Sequence, residues 1–269
     1  MPELPEVESL RIYLLEQEIV GRTITEVDAD WPGIENTADG MGGLSALPGR
    51  KITGASRVGK NLFLKLDRGV LWLHMGMTGR LAVMHPDDEP LRFTRTTFFL
   101  DDERRIELED PRRWAGVRLE ESPDSIIGNL GPDALDASFT PQELIKRVQH
   151  RRSPIKSVLL DQSVVAGIGN IYADEALHRV GIRPSLRADR LSTQQLTELH
   201  SAIRTSLLQA LRYIVDHPDE RGRPYVVDAY DDRMRLHRKK GSTCPDCGTK
   251  LETQKFGGRT AYFCPKCQA

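Results

Sequence analysis

Val165-Ala166-Gly167-Ile168-Gly169-Asn170-Ile171-Tyr172-Ala173-Asp174-Glu175 sets two glycines and an asparagine directly ahead of residues that favour a helix. Glycine permits a tight turn, and the first turn of the helix that follows leaves backbone N–H groups without partners. Together with the Asn170 amide these form a candidate phosphate cradle, although such glycines can also serve the turn alone. Downstream, Leu196, Leu199, Ile203, Leu207, Leu211 and Ile214 recur every three or four residues and predict a long amphipathic core helix over residues 193–215. Upstream, Thr140-Pro141-Gln142-Glu143 has a capping residue, a proline at the first helical position and a glutamate at the third, which predicts a helix start with a capping box. Residues 121–138, rich in Pro, Asp, Ser and Gly, read as a linker.

Ahead of that linker the pattern is of strands. Thr23–Val27, Lys51–Leu66, Val70–Val83, Thr96–Leu108 and Gly116–Leu119 have strand character, with Asp67-Arg68-Gly69 and Asp101-Asp102-Glu103 as turns. Strands in succession point to an antiparallel sandwich or barrel, not to alternating βαβ units. A helix is predicted over residues 5–19, with Val7, Leu10 and Leu14 on one face and Gly21 as its stop signal; this leaves residues 2 and 3 at its exposed start.

The opening Met1-Pro2-Glu3-Leu4-Pro5-Glu6 has a chemical reading beside the helical one. Removal of Met1 would leave Pro2 with a free secondary amine, and an α-amino group titrates near pH ~7.7–8.0, so a useful fraction is nucleophilic at neutral pH. Addition to an aldehyde carbon gives a cationic iminium, and the neighbouring Glu3 carboxylate could carry the protons this requires. With Met1 attached the Pro2 nitrogen is an amide and the chemistry is impossible. The plainer reading is that proline and acidic residues open a helix.

The chain of 269 residues carries 38 basic and 39 acidic side chains, a formal net charge of -1, so overall charge does not point to nucleic acid. Its distribution does. Residues 233–269 hold nine basic side chains against two acidic ones, an excess suited to phosphate. No apolar run reaches membrane-spanning length and the N-terminus lacks the order of a signal peptide, so a cytosolic location is expected. All four cysteines fall in the same tail, as Cys244-x-x-Cys247 and Cys264-x-x-Cys267. Two such pairs fit one tetrahedral zinc ion, with two disulfides as the alternative. Between them Gly257-Gly258 favours a hairpin turn, placing Arg259 near the tip.

The opening PELPEVE, the GIGNIYADEAL segment and the closing CPDC…FGGRTAYFCPKCQ resemble, in order and over nearly the whole chain, the bacterial formamidopyrimidine-DNA glycosylase family, which includes endonuclease VIII. The resemblance is to the formamidopyrimidine branch. It implies an α+β fold: a catalytic helix, an N-terminal antiparallel β-sandwich, a helical domain with a helix–two-turn–helix element, and a zinc-bound β-hairpin. The expected divisions are 1–120, a linker at 121–138, 139–235 and 236–269. It also implies base excision with abasic-site lyase activity through β,δ-elimination, acting as a monomer on damaged double-stranded DNA in the bacterial cytosol.

Carried over residue by residue, Pro2 matches the nucleophile and Glu3 the carboxylate that assists sugar-ring opening. Lys60 matches a lysine that contacts phosphate and supports proton transfer, and Arg259 the hairpin arginine that grips the phosphate beside the lesion. Glu6 matches a supporting carboxylate. Asn170 and Arg151 match phosphate-binding positions. Met77, within His74-Met75-Gly76-Met77, and Arg112 match two of the three side chains that fill the gap left by a flipped nucleotide. His74 belongs with these DNA contacts. The third gap-filling position, commonly phenylalanine, is Trp114 here.

Two departures stand out. Leu91-Arg92-Phe93-Thr94-Arg95 lacks the family's DNA-contacting histidine, which leaves arginines for that work. Residues 217–240 do not resemble the loop that closes over 8-oxoguanine, and Asp228-Ala229-Tyr230-Asp231-Asp232 is acidic for a surface near DNA. A preference for oxidised pyrimidines and a non-catalytic abasic-site binder are therefore the competing expectations.

Overall fold

The computed structural model describes residues 2–30, 43–224 and 234–269. Met1 and the acidic stretch 228–232 lie outside them. The chain divides into two compact units. One takes Glu6–Gly128 and the segment from His217; the other takes Glu3–Pro5, Asn129–Asp216 and the C-terminal segment.

The first unit is built on two four-stranded antiparallel sheets. β1 (Ile24–Ala29), β6 (Thr94–Leu100), β7 (Arg105–Glu109) and β5 (Arg80–Met84) form one in that order; β2 (Ile52–Val58), β3 (Asn61–Leu66), β4 (Val70–His74) and β8 (Gly116–Glu120) form the other. Leu62, Leu64, Leu71 and Leu73 from one sheet and Leu81, Phe98, Ile106 and Leu108 from the other enter one buried cluster, as alternating strands in a sandwich require. Helix α1 (Leu4–Glu16) adds Val7, Leu10 and Leu14 to the same cluster. It ends earlier than its periodicity predicts, because Glu18 and Gly21 take positive φ and turn the chain. The run 51–66 is two strands, broken at Gly59 (φ 60) and Lys60. The run 70–83 also holds two strands, placed in different sheets by the loop between them.

The second unit is helical, after a short α2 (Asp124–Ile127) in the linker segment of the first. α3 (Pro141–Val148) starts at the predicted cap: Thr140 Oγ1 accepts from Glu143 N at 3.2 Å, a contact worth about 1 kcal/mol. Only that half of the capping box is recorded as a bond, and Glu143 pairs with Arg147 one turn on. α4 (Ile155–Leu160), the turns at 161–169 and α5 (Asn170–Arg179) follow, and then α6 (Thr193–Asp216), whose predicted stripe is buried at Leu196, Leu199, Ile203, Leu207 and Ile214. β9 (Glu252–Phe256) and β10 (Arg259–Phe263) form the hairpin; Gly257 (φ 54) and Gly258 (φ 77) supply the two left-handed residues of its turn. The hairpin end has a buried cluster of only Leu236, Leu251, Cys244 and Cys264, too little apolar surface to hold it without a further tie. No helix among the described residues is long and apolar enough to cross a membrane.

Candidate active site

Pro2 and Glu3 are buried, not at an exposed helix start. The reason is a carboxylate that caps a distant helix. Within the second unit, Glu3 accepts from the N–H groups of Gly169 (2.8 Å), Ile171 (2.9 Å) and Tyr172 (3.3 Å), the open start of α5. Gly169, the N-cap position, has no side chain to do this itself, and a Cβ there would lie 2.3 Å from the Glu3 carboxyl carbon. Gly167 (φ 103) likewise leaves room for Leu4, whose N–H donates to the Gly167 carbonyl. The glycines therefore serve close approach of the N-terminal segment. The N–H groups of Gly169, Ile171 and Tyr172, expected to cradle phosphate, are taken by Glu3.

Asn170 is half-buried, and its Nδ2 donates to the Thr260 carbonyl of β10 at 2.9 Å. Arg259 stands next to that residue, exposed at the first position of β10. The hairpin is locked to α5 by a buried charge network that sequence reasoning missed. Asp174 accepts from Lys156 Nζ (2.6 Å), Arg238 Nε (2.8 Å) and the Tyr262 N–H (3.0 Å), while Lys156 Nζ also donates to the Asn170 carbonyl (2.6 Å). Arg238 thus belongs to the interior and not to the basic phosphate footprint, and Arg235 is paired with Asp246. Arg151 is exposed and pairs with Asp161 at 3.0 Å.

In the first unit, Met77, Arg112 and Trp114 come from two loops tied by one buried carboxylate. Asp110 accepts from the Thr78 hydroxyl and from the N–H groups of Arg112 (3.1 Å), Trp114 (2.5 Å) and Ala115 (2.7 Å). Burial raises its pKa; the Thr78 hydroxyl and the three N–H groups outweigh that and hold the carboxyl below the usual aspartate range. Gly76 (φ 55) lets the loops touch, since a Cβ there would fall 2.4 Å from the Trp114 carbonyl oxygen. On this knot Met77 and Trp114 remain 37% and 56% exposed, against the burial usual for such side chains, and Arg112 lies over the Trp114 ring at 5.6 Å. Sequence reasoning missed Asp110; an Asp-Pro followed by a loop is the signal that finds it.

Lys60 stands at the β2–β3 turn, which Arg57 steadies by donating to the Gly59 carbonyl (2.8 Å) while paired with Glu8 of α1 (2.9 Å). His74 is half-buried, stacks on Trp72 and accepts from the Gly76 N–H through Nδ1 (3.1 Å). Burial, and then the Lys60 charge, push its pKa down, so the ring is neutral at neutral pH. Of the arginines of 91–95, Arg95 is held by Asp30 (2.7 Å) and the Asp110 carbonyl (2.8 Å), while Arg92 is exposed and lies over Phe93.

The four cysteine sulfurs lie within 4.8 Å of one another, with Cys244–Cys267 at 3.8 Å and Cys247–Cys264 at 3.5 Å. A tetrahedron with Zn–S bonds of ~2.3 Å has edges of about 3.8 Å, whereas a disulfide needs ~2.05 Å. All four are free thiols in a zinc-sized cluster, so the disulfide alternative falls. One zinc ion fits, as a closed structural site.

An antiparallel sandwich, a helix–two-turn–helix unit and a four-cysteine hairpin define a class of DNA-repair fold, and comparison with known proteins settles which. Residues 1–117 match the formamidopyrimidine-DNA glycosylase N-terminal domain, 130–216 the corresponding H2TH domain, and 241–269 the zinc finger found in FPG and IleRS. Formamidopyrimidine-DNA glycosylases of Chloroflexus aurantiacus and Syntrophotalea carbinolica are 37% and 33% identical to the chain; each alignment covers 100% of this chain and at least 98% of the relative. Lactococcus lactis Fpg in complex with N7-benzyl-Fapy-dG-containing DNA superposes with a TM-score of 0.86 (28% identity, 99% of each chain), and Thermus thermophilus MutM with 0.83 (31% identity, 99% of this chain and 98% of that one). The chain belongs to the formamidopyrimidine-DNA glycosylase family.

Proposed function

We propose that the chain is a base-excision-repair glycosylase and abasic-site lyase that removes oxidised purines, formamidopyrimidine and 8-oxoguanine, from double-stranded DNA. It acts as a monomer in the bacterial cytosol, with the sandwich at 1–120 joined by 121–138 to the helical domain at 139–235 and the zinc hairpin at 236–269. The observation that carries the reading is a buried Glu3 whose carboxylate is fixed by three backbone N–H groups, directly following Pro2 in the chain. A carboxylate so held is pre-set for proton work beside the amine that removal of Met1 exposes.

In this reading the Pro2 nitrogen forms a bond to the sugar C1′, and the electrons of the glycosidic bond leave with the base. Glu3 assists ring opening and moves the protons. The resulting iminium acidifies the C2′ proton, whose loss to a base expels the 3′ phosphate; loss of a second proton, from C4′ of the conjugated product, then expels the 5′ phosphate. Lys60 and Arg259 hold the phosphates, and Arg259 serves the second elimination. Arg112, Met77 and Trp114 fill the space left by the flipped nucleotide, with Arg112 donating to the partner cytosine. Asn170, Arg151 and His74 are the remaining proposed DNA contacts, Asn170 and Arg151 through phosphate. Zinc supplies no chemistry here; Cys244, Cys247, Cys264 and Cys267 hold it to order the hairpin that bears Arg259.

The test is borohydride trapping on a duplex with one abasic site. A covalent protein–DNA adduct is expected; its absence, with Met1 shown to be removed, rejects the lyase mechanism. A lesion panel is expected to show faster excision of formamidopyrimidine and 8-oxoguanine opposite cytosine than of oxidised pyrimidines, and the reverse order rejects the purine preference.

A further inference from the structure

The hairpin cysteines have a neighbour that is not a cysteine. His178, in the last turn of α5, is buried, and its Nε2 lies 3.3 Å from Cys244 Sγ. Its Nδ1 is buried too and has no hydrogen-bond partner among the described residues, so the sulfur is the closest polar contact recorded for the ring. Asp246 lies further off, at 3.8 Å from Nε2. At the spacing that groups the four sulfurs, His178 groups with Cys244 and Asp246, at one corner of the tetrahedron and outside it.

We propose that His178 is an outer-sphere member of the zinc centre: its Nε2–H donates to the Cys244 thiolate and sets how tightly the ion is retained. Four thiolates around one divalent ion carry a net charge of −2, and each N–H or O–H donor to sulfur offsets part of it. Two other corners have such a donor nearby. The Cys267 N–H reaches Cys264 Sγ at 3.4 Å, and the Thr249 hydroxyl lies 3.2 Å from Cys247 Sγ. His178 differs because it comes from α5, the helix that Glu3 caps at the other end. It fastens the metal end of the hairpin to the element that positions the proposed proton carrier.

This inference rests on zinc occupying the four cysteines, which Co(II) substitution of the full-length protein checks separately: four-thiolate charge-transfer bands are expected in the unaltered chain and in both variants below. Zinc affinity is then read by competition with a chromophoric chelator. Outer-sphere partners are worth roughly 10- to 100-fold in metal affinity, and His178→Phe is expected to lose that much. His178→Gln, whose amide N–H can reach the same sulfur, is expected to stay close to the unaltered chain. Unchanged affinity in His178→Phe, or equal losses in both variants, overturns the proposal. So does a Co(II) spectrum of the unaltered chain with three thiolates and one imidazole.

Discussion

Glu3 and Asp110 each gather three backbone N–H groups, one in each compact unit, and the two clusters lead to opposite uses. Glu3 reaches a helix start 166 to 169 residues away in sequence, and the carboxylate itself is the proposed reacting group. Asp110 collects N–H groups two, four and five residues on and a hydroxyl from a neighbouring loop, so its acceptors are spent on structure. The proposed function there passes to the exposed tips, Met77, Arg112 and Trp114. A buried carboxylate can thus be the catalyst or the scaffold for others, and hydrogen-bond count alone does not tell which.

The sharpest way to break the comparison is Glu3→Gln. The amide keeps an acceptor for α5 but loses proton transfer, a contribution of roughly 10²- to 10⁴-fold to rate. Base excision by the folded variant should fall by that amount, and because both carboxylate oxygens accept N–H groups the amide should also cost roughly 1–3 kcal/mol of stability, as should Glu3→Ala. Glu3→Gln excising at the unaltered rate would make Glu3 a cap and nothing more. For Asp110 the stability cost is expected without a loss of chemistry. Asp110→Asn turns an amide N–H₂ toward N–H donors in a buried loop, and roughly 1–3 kcal/mol of stability should go. Cleavage of a duplex abasic site should drop while a single-stranded abasic oligonucleotide is cut as before, because only the duplex needs the loop tips. Equal losses on both substrates would place Asp110 in the chemistry. Its pH signature follows from its low folded-state pKa. Stability from Asp110 is complete above the unfolded value of ~3.9 and is lost as pH falls through the lower folded value. Acid titration of Asp110→Asn should lack that loss.

The same contrast explains what could be read from sequence. Constraints local in the chain were legible: the Cys-x-x-Cys pairs, the Thr140 cap, the Gly257-Gly258 turn and the α6 stripe, which misses the observed end by one residue. Glu143 was half right, because the Arg147 charge one turn on competes for the carboxylate that a capping box needs. What failed was long-range pairing. Nothing near Asp174 announces Lys156 or Arg238, and nothing near Gly169 announces Glu3; such pairs exist only once the chain is folded. A basic tail therefore looked wholly available to phosphate although Arg238 is buried in an ion pair. Likewise Gly-x-Gly-Asn looked like an open cradle although Glu3 occupies its N–H groups. The family resemblance supplied Lys60, Met77 and Trp114, which composition would leave as ordinary surface or core residues.

Smaller effects separate the loop tips from the phosphate contacts. Trp114→Ala removes a ring already 56% exposed, so folding should be unaffected. Stacking on a base is worth ~1–3 kcal/mol, and the Kd for lesion duplex should rise about 5- to 150-fold with little change in salt dependence. Arg151→Ala should do the converse. Arg151 is exposed and spends its guanidinium on Asp161, a surface pair worth about 0–1 kcal/mol, so stability again stays. If it contacts phosphate, its loss releases one fewer counterion, and the slope of log affinity against log salt should flatten by about 1, alike on lesion and undamaged duplex. An unchanged slope would return Arg151 to the Asp161 pair alone; a lesion-specific loss would move it from backbone grip to lesion recognition. Either result would redraw the proposed boundary between residues that grip the DNA backbone and loops that read the lesion.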